Sequence, residues 1–248
     1  LEFKLIRDLI PIESIRHFTL KPGYGYIWIT NFRENTTEDL EKILKVLETA
    51  SEPLKGLVLD LRDNPGGLLN QAISVSDLFL NEGIIVSIKG RLNRHTQTFQ
   101  ANPDTQMRTY PIVALINGGS ASAAEIVAGA LQDHKRALIL GTASFGKGSV
   151  QTVENLRDGY GLKFTIARYY TPSGRSIQAQ GIEPDVIVRQ KFAEEKGAAE
   201  KPEHGMKEKD LKNHLEPESK PDSKVHPIKK PGEQTAYPEG LNLETLKS

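Results

Sequence analysis

The stretch NGGSASAAEIVAGALQDHKRALILGTASFGKGSVQ, residues 117–151, decides how the rest of the chain is read. It follows the apolar run 112–116 and opens on the Gly118-Gly119 turn. A helical segment from about Ser120 to Asp133 comes next, then a strand at 137–140 and a loop carrying Lys147. The glycine pair lets the backbone turn sharply from strand to helix and leaves room for a ligand to approach the main chain. Ser122 then stands in the first helical turn, beside backbone N–H groups without a partner inside the helix and at the positive end of its dipole. Such a setting can donate hydrogen bonds to an oxyanion. Two readings fit this serine: a nucleophile, or a small first-turn residue behind Ser120 as the N-cap.

A serine nucleophile needs a base. His17 and His95 fall in meander-like strands, His204, His214 and His226 in a polar tail, and His134 at the C-terminal end of the helix, where a cation complements the dipole. None stands in a loop with the character of a site. A lysine serves as general base when burial or a cationic neighbour lowers its pKa. Lys147 lies in SFGKG, where the flanking glycines permit tight packing and Phe145 can exclude water, although a plain turn lysine has the same surroundings. The phosphate-loop pattern GxxxxGK[ST] is not met, because Gly148 separates Lys147 from Ser149. A second loop, Asp63-Asn64-Pro65-Gly66-Gly67, lies between a buried strand and a helix, where open α/β sheets keep their functional loops. Its glycine N–H groups are candidate oxyanion donors. Asn64 as a cap with Pro65 as the first helical residue would make the same loop a helix start, and both readings can hold together.

Outward from these loops, residues 3–12, 15–20 and 26–30 read as strands, with turn chemistry at 21–25. Thr36 is a helix cap with Asp39 three residues on, and Leu40, Ile43, Leu44 and Leu47 recur on one helical face. Residues 56–61 form an apolar run of the kind buried on both sides of a sheet. Leu68, Leu69, Ala72, Ile73, Leu78 and Phe79 mark a second helix. Further strands are expected at 84–88, 95–99, 112–116, 149–153 and 162–169. Strands alternating with helices predict an α/β class with a mainly parallel sheet flanked by helices, and short β-meander ends. No internal repeat is visible.

The 248 residues divide by composition. Residues 1–189 hold nearly all the apolar runs and are long enough for one domain with a sizeable core. Residues 190–248 are rich in Lys, Glu, Pro and Ser, bury too little to offset their chain entropy, and are expected to be disordered or transiently helical. Residues 241–246 form a short amphipathic end to this solvated tail. The 32 basic and 32 acidic residues cancel, so no whole-chain attraction to nucleic acid or to a charged membrane surface is expected. No apolar run approaches the roughly 18 residues of an integral membrane segment. The absence of cysteine excludes disulfides, thiolate metal sites and a cysteine nucleophile. The chain opens at Leu1 inside a predicted strand, so a piece of a longer or processed protein is expected.

Six stretches occur in one order: GYIWITNF (25–32), GLVLDLRDNPGGLL (56–69), NGGSASAAEIVAGALQDHKRA (117–137), GTASFGKGSVQ (141–151), ARYYTPSGRSI (167–177) and GIEPDV (181–186). Together they resemble the carboxy-terminal processing peptidases, also called tail-specific proteases, of serine peptidase family S41, over about residues 1–189. The resemblance implies a crotonase- or ClpP-like core and an endopeptidase that cleaves proteins at or near their C-termini through a Ser/Lys dyad and an acyl-enzyme. It assigns Ser122 as nucleophile, Lys147 as base and Gln151 as the glutamine that supports the dyad. The oxyanion hole would be the backbone N–H of Ala123 with that of Gly66 or Gly67. Glu125 and Asp133 match acidic positions of the family motif and are assigned to site architecture. No cofactor and no metal is implied. The implied partner is a protein or peptide with an unstructured C-terminus, in the bacterial periplasm or cell envelope, or in the thylakoid lumen of plastids. Two departures stand out. Ala124 replaces a serine found in many members. Members also carry a PDZ-like domain ahead of GYIWITNF, and too few residues precede that motif here to hold one. Two alternatives share the fold: a peptide-binding module without activity, and a crotonase-type acyl-CoA enzyme, whose oxyanion hole also uses two backbone N–H groups.

Overall fold

The computed structural model describes residues 13–103, 107–189 and 206–216. Strands β1 (Ile15–Lys21) and β2 (Tyr24–Ile29) form a hairpin, followed by helix α1 (Thr36–Glu48) and strand β3 (Gly56–Asp60). Helix α2 (Leu69–Asp77), strands β4 (Ile84–Gly90) and β5 (Gln97–Gln100), and strand β6 (Ile112–Ile116) come next. Helix α3 (Ala123–Asp133) leads into β7 (Ala137–Gly141), β8 (Ser149–Asn155), β9 (Gly161–Tyr170) and the short β10 (Val186–Ile187).

These strands make two sheets. One has the order β1-β2-β3-β6-β7-β10, antiparallel at the β1–β2 hairpin and parallel elsewhere. The other, β5-β4-β9-β8, is antiparallel throughout. The α/β class with a mainly parallel sheet is therefore the architecture observed, and the expected short meanders amount to a four-stranded sheet. Apolar runs without alternation become the parallel strands because both faces of such a sheet are covered. Leu57, Leu59, Ile112, Ala114, Ile116, Ala137 and Ile139 are all buried in one core. α1 contributes Leu40, Leu44 and Leu47 to the same core, with Ile43 partly buried beside them. Truncating a buried leucine such as Leu40 to alanine costs about 2–5 kcal/mol. In α3 every residue from Ala123 to Leu131 is buried, so its small side chains suit a helix enclosed on all sides.

Local chemistry moves several boundaries. Thr36 is the first residue of α1, not its cap. Its hydroxyl accepts the Arg33 N–H at 2.8 Å and bonds Ser14 Oγ at 2.8 Å, which ties the helix to the start of β1. α2 starts at Leu69, not at Asn64 and Pro65, because the preceding loop is drawn to Phe32. The Phe32 N–H donates to the Gly66 carbonyl, and the Leu68 N–H donates to the Phe32 carbonyl. His95 belongs to a short 3-10 turn, Asn93–His95, ahead of β5. α3 is capped at Ser122, one turn-half later than a Ser120 cap would place it. The strand expected at 3–12, and tail residues 190–205 and 217–248 including 241–246, lie outside the described residues. Residues 206–216 do have a place: a 3-10 turn, Glu208–Asp210, lies against the loop before β8, with the Glu208 N–H donating to the Phe145 carbonyl at 3.2 Å.

Candidate active site

The connection from β3 to α2 and the turn from β6 to α3 leave the same end of neighbouring parallel strands, the end at which open α/β sheets hold ligands. They are stitched together. The Asp63 N–H donates to Asn117 Oδ1 and Asn117 Nδ2 donates to Asp63 Oδ1, each at 3.0 Å. Ser120 Oγ donates to the Leu61 carbonyl at 2.7 Å, and the Ala121 N–H to the Asn64 carbonyl at 2.9 Å. Ser120 thus joins the loops and does not cap the helix. Asn64, fully buried, donates through Nδ2 to the Ile29 carbonyl at 2.8 Å.

Ser122 has φ 55° and ψ −112°. This is the left-handed side of conformational space, normally a glycine's, and an L-residue is held there only by its surroundings. The turn expected at Gly118-Gly119 is present, closed by the Ser120 N–H on the Asn117 carbonyl at 2.9 Å with neither glycine at positive φ, and the strained residue of the connection is Ser122. Part of the hold comes from Gly66, whose φ is 100°. A Cβ added there would lie 2.8 Å from Ser122 Cβ and 2.8 Å from the Ala121 carbonyl oxygen, so only glycine allows this approach. The Gly66 N–H donates to Asn64 Oδ1 at 2.9 Å and is engaged within the loop. Of the glycine pair this leaves the Gly67 N–H as the candidate oxyanion donor, with the Ala123 N–H at the start of α3.

Glu125 joins the two ends of the site. Its side chain is buried, and one oxygen, Oε2, accepts both the Ser122 N–H at 2.7 Å and the Lys147 N–H at 2.9 Å. The other, Oε1, accepts the Gly146 N–H at 2.7 Å and Ser144 Oγ at 2.6 Å. The backbones of the serine and the lysine, 25 residues apart in sequence, therefore meet on a single atom. Burial pushes the Glu125 carboxyl up to about 7, against the pull of its four donors. Lys147 itself is half-buried, between Gly146 and Gly148, on the connection from β7 to β8.

The remaining expected residues lie further out. Gln151 is exposed on β8, beside a register shift between Val150 and Gln151. Asp133 closes the far end of α3, about 16 Å along the axis from Ser122. It holds the Arg175 guanidinium at 2.5 Å and the Ser173 N–H at 2.9 Å. His134 bonds the Ile84 carbonyl through Nε2 at 2.7 Å. One cluster escaped the sequence reading. The buried Asp60 carboxylate takes the Arg62 guanidinium through Nε and Nη2 and also accepts the Tyr26 hydroxyl, closing the end of β3 directly before the Asp63–Gly67 loop. Its one visible signal is an acid at the end of an otherwise apolar strand, two residues before an arginine. Among the described residues no group of three or more His, Asp or Glu side chains is placed to hold a metal, and no helix is long and apolar enough to cross a membrane.

Comparison with known proteins follows the same stretch of chain. The profile of peptidase family S41 matches residues 23–188. A carboxy-terminal-processing protease of Bartonella bacilliformis is 50% identical over 196 residues, which are 78% of this chain and 45% of that protein. A probable CtpA-like serine protease of Staphylococcus aureus is 37% identical over 189 residues, 75% of this chain and 37% of the relative. The solved structure of a photosystem II D1 C-terminal processing protease superposes with a TM-score of 0.64 at 34% identity, covering 73% of this chain and 49% of that one. The chain thus spans less than half the length of these relatives.

Proposed function

The chain belongs to peptidase family S41, and we propose that it carries the catalytic unit of a serine endopeptidase that cleaves proteins at or near their C-termini through Ser122 and Lys147. The observation that carries this reading is the shared Glu125 oxygen, which draws the backbones of both residues to one point beside a strained serine. A structural serine and a turn lysine require no such junction.

In the proposed reaction neutral Lys147 removes the proton from Ser122 Oγ as Oγ attacks the scissile carbonyl carbon. The Ala123 and Gly67 N–H groups receive the oxyanion of the tetrahedral intermediate. Collapse breaks the C–N bond, the lysine proton passes to the leaving amine, and an ester to Ser122 remains. Water, deprotonated by the same lysine, then attacks the ester; collapse breaks the bond to Ser122 Oγ, which takes the proton from Lys147, and releases the new C-terminus. Gln151 supports the base from β8, while Glu125 and Asp133 hold the scaffold. β8 is an edge strand whose first residue follows Lys147 by two positions, which supports an extended, unstructured substrate terminus pairing along it as an added strand. Residues 1–189 are the catalytic unit in this reading and 190–248 a charged tail, and the resemblance favours the periplasm or cell envelope as the place of action.

The test is hydrolysis of an unstructured peptide by the purified chain and two variants. Ser122→Ala lowers turnover on the order of 10⁶-fold, and Lys147→Ala about 10²–10⁴-fold, with the circular dichroism spectrum unchanged. Undiminished turnover by either variant removes the dyad.

A further inference from the structure

The loop that carries Lys147 is held by backbone bonds, the Phe145 N–H to the Ser120 carbonyl at 2.9 Å and the Ala179 and Tyr169 N–H groups to the Gly146 and Gly148 carbonyls at 2.8 Å, and by side chains from two sides. Glu125 holds it from within. From the other side it meets residues 206–216, which by their polar composition belong to the tail. The link between them is Gln178, whose side chain is fully buried at 0% exposure. Gln178 Oε1 accepts the Gly148 N–H at 3.1 Å, the backbone group immediately after Lys147. Its Nε2 donates to Glu208 Oε1 at 3.1 Å and to the Leu215 carbonyl at 3.2 Å. The segment also reaches the loop directly, through the Glu208 N–H on the Phe145 carbonyl at 3.2 Å and Lys207 Nζ on the Ala143 carbonyl at 3.4 Å.

This division of bonds has a consequence. A buried primary amide needs partners for both its N–H bonds, and here both come from residues 206–216. Without the segment, the Gln178 amino group is left unsatisfied in the interior and the side chain is driven to reorient. Its hold on Gly148 is then lost, although that hold uses the opposite end of the amide. The segment has no comparable anchor of its own: Leu211 is 36% and Leu215 37% exposed, and Met206 is 68% exposed. A stretch attached mainly by hydrogen bonds, with few buried apolar contacts, opens at far lower free energy than the core.

We propose that residues 206–216 are a releasable brace that sets the position of Lys147 through Gln178 and Gly148, with Gln178 and Glu208 as positioning residues. The brace touches backbone carbonyls and the Gln178 amide. It therefore works on the placement of the base and not on the binding of substrate, and this link to catalysis rests on Lys147 being the base.

Two readouts on the full 248-residue chain test it. Amide hydrogen exchange at residues 145–148 reads the brace without reference to activity. Gln178→Glu, which keeps an acceptor for Gly148 but turns both donors into acceptors facing Glu208, accelerates that exchange, as does deletion of 206–216. Peptide hydrolysis reads the consequence: kcat falls about tenfold at unchanged KM, and the acid limb of the pH–kcat profile moves. The exchanged pair Gln178→Glu with Glu208→Gln restores a donor and an acceptor across the contact and recovers part of both effects. Unchanged exchange in the deletion variant overturns the brace, whatever the activity. So does a rise in kcat, which would mean that the segment covers the cleft. A fall in melting temperature with kcat and the pH profile intact would reduce it to a structural contact and overturn it equally. Turnover that survives Lys147→Ala removes the dyad itself, a failure that the exchange measurement keeps apart from failure of the brace.

Discussion

The two sheets are built in opposite ways, and the proposed dyad is divided between them. In the parallel sheet, β3, β6 and β7 have partners on both sides, and the turn that carries Ser122 is sewn to the next loop by hydrogen bonds from Asn117, Ser120 and Ala121. In the antiparallel sheet, β8 has an open edge among the described residues, and the β8–β9 hairpin leaves Val153, Leu162 and Phe164 exposed. Lys147 stands on the connection from one to the other. The contrast teaches that the geometry of the nucleophile follows from the fold itself. That of the base depends on ties added to the loop: the Phe145 N–H on the Ser120 carbonyl, Glu125, which also holds the Ser122 N–H, and Gln178 from outside.

The largest break in this contrast comes from Glu125→Gln. An amide cannot accept four donors, and its NH2 would face either the N–H groups of Ser122 and Lys147 or that of Gly146. We expect kcat to fall about 100-fold in steady-state peptide hydrolysis, because both ends of the site lose their common point. A change under about twofold would mean that each end keeps its own place. Gly66→Ala tests the rigid side alone. A Cβ there meets Ser122 Cβ and the Ala121 carbonyl oxygen, at a φ that alanine avoids. The expected loss is about 1–3 kcal/mol of stability in urea unfolding, and an unchanged midpoint would contradict the close approach.

A smaller effect follows from pH. The Glu125 carboxyl is raised by burial from its ordinary 4.5 to about 7, so between those values the folded chain keeps a proton that the unfolded chain releases. Its contribution to stability therefore declines as pH rises through that window and is level above it. Urea midpoints of the unmodified chain should fall, relative to those of Glu125→Gln, over this range. Parallel curves would place the titration elsewhere. On the open sheet, Leu162→Ser or Phe164→Ser should alter stability by no more than about 0.5 kcal/mol. If substrate pairs along β8, KM is the constant that moves. A loss of several kcal/mol would show that this hairpin is as tightly built as the parallel sheet.

Much of this was legible in the residues. Apolar runs without alternation, such as 56–59 and 112–116, announce parallel strands, and the order of six short stretches points to Ser122 and Lys147. What was not legible depends on contacts far apart in sequence. SASAA contains several small residues suited to a helix start, so nothing local distinguishes a cap at Ser120 from one at Ser122. A positive φ at a serine leaves no trace in composition, and the glycines nearby announce only the turn that they themselves form. Glu125 reads as one more acid in a first helical turn until the fold brings Gly146 and Lys147 to it. Asn64 looked like a cap because its binding of Gly66 and of the Ile29 carbonyl needs the β2 end to be present. Residues 206–216 read as tail because their attachment uses hydrogen bonds to backbone carbonyls and a buried amide, which apolar content does not report.

The backbone of Ser122 carries a consequence for descent as well as for chemistry. Every copy of the chain bears about 1–3 kcal/mol of conformational strain at one position, and in the proposed reading it is the work of the hydroxyl that keeps a side chain there. A lineage that gave up cleavage but kept the fold would be released from that load by glycine, which occupies φ 55° without strain. Glycine at this place in a related sequence is then the expected scar of a retired protease. In the laboratory, Ser122→Gly should yield an inert molecule that melts later than Ser122→Ala.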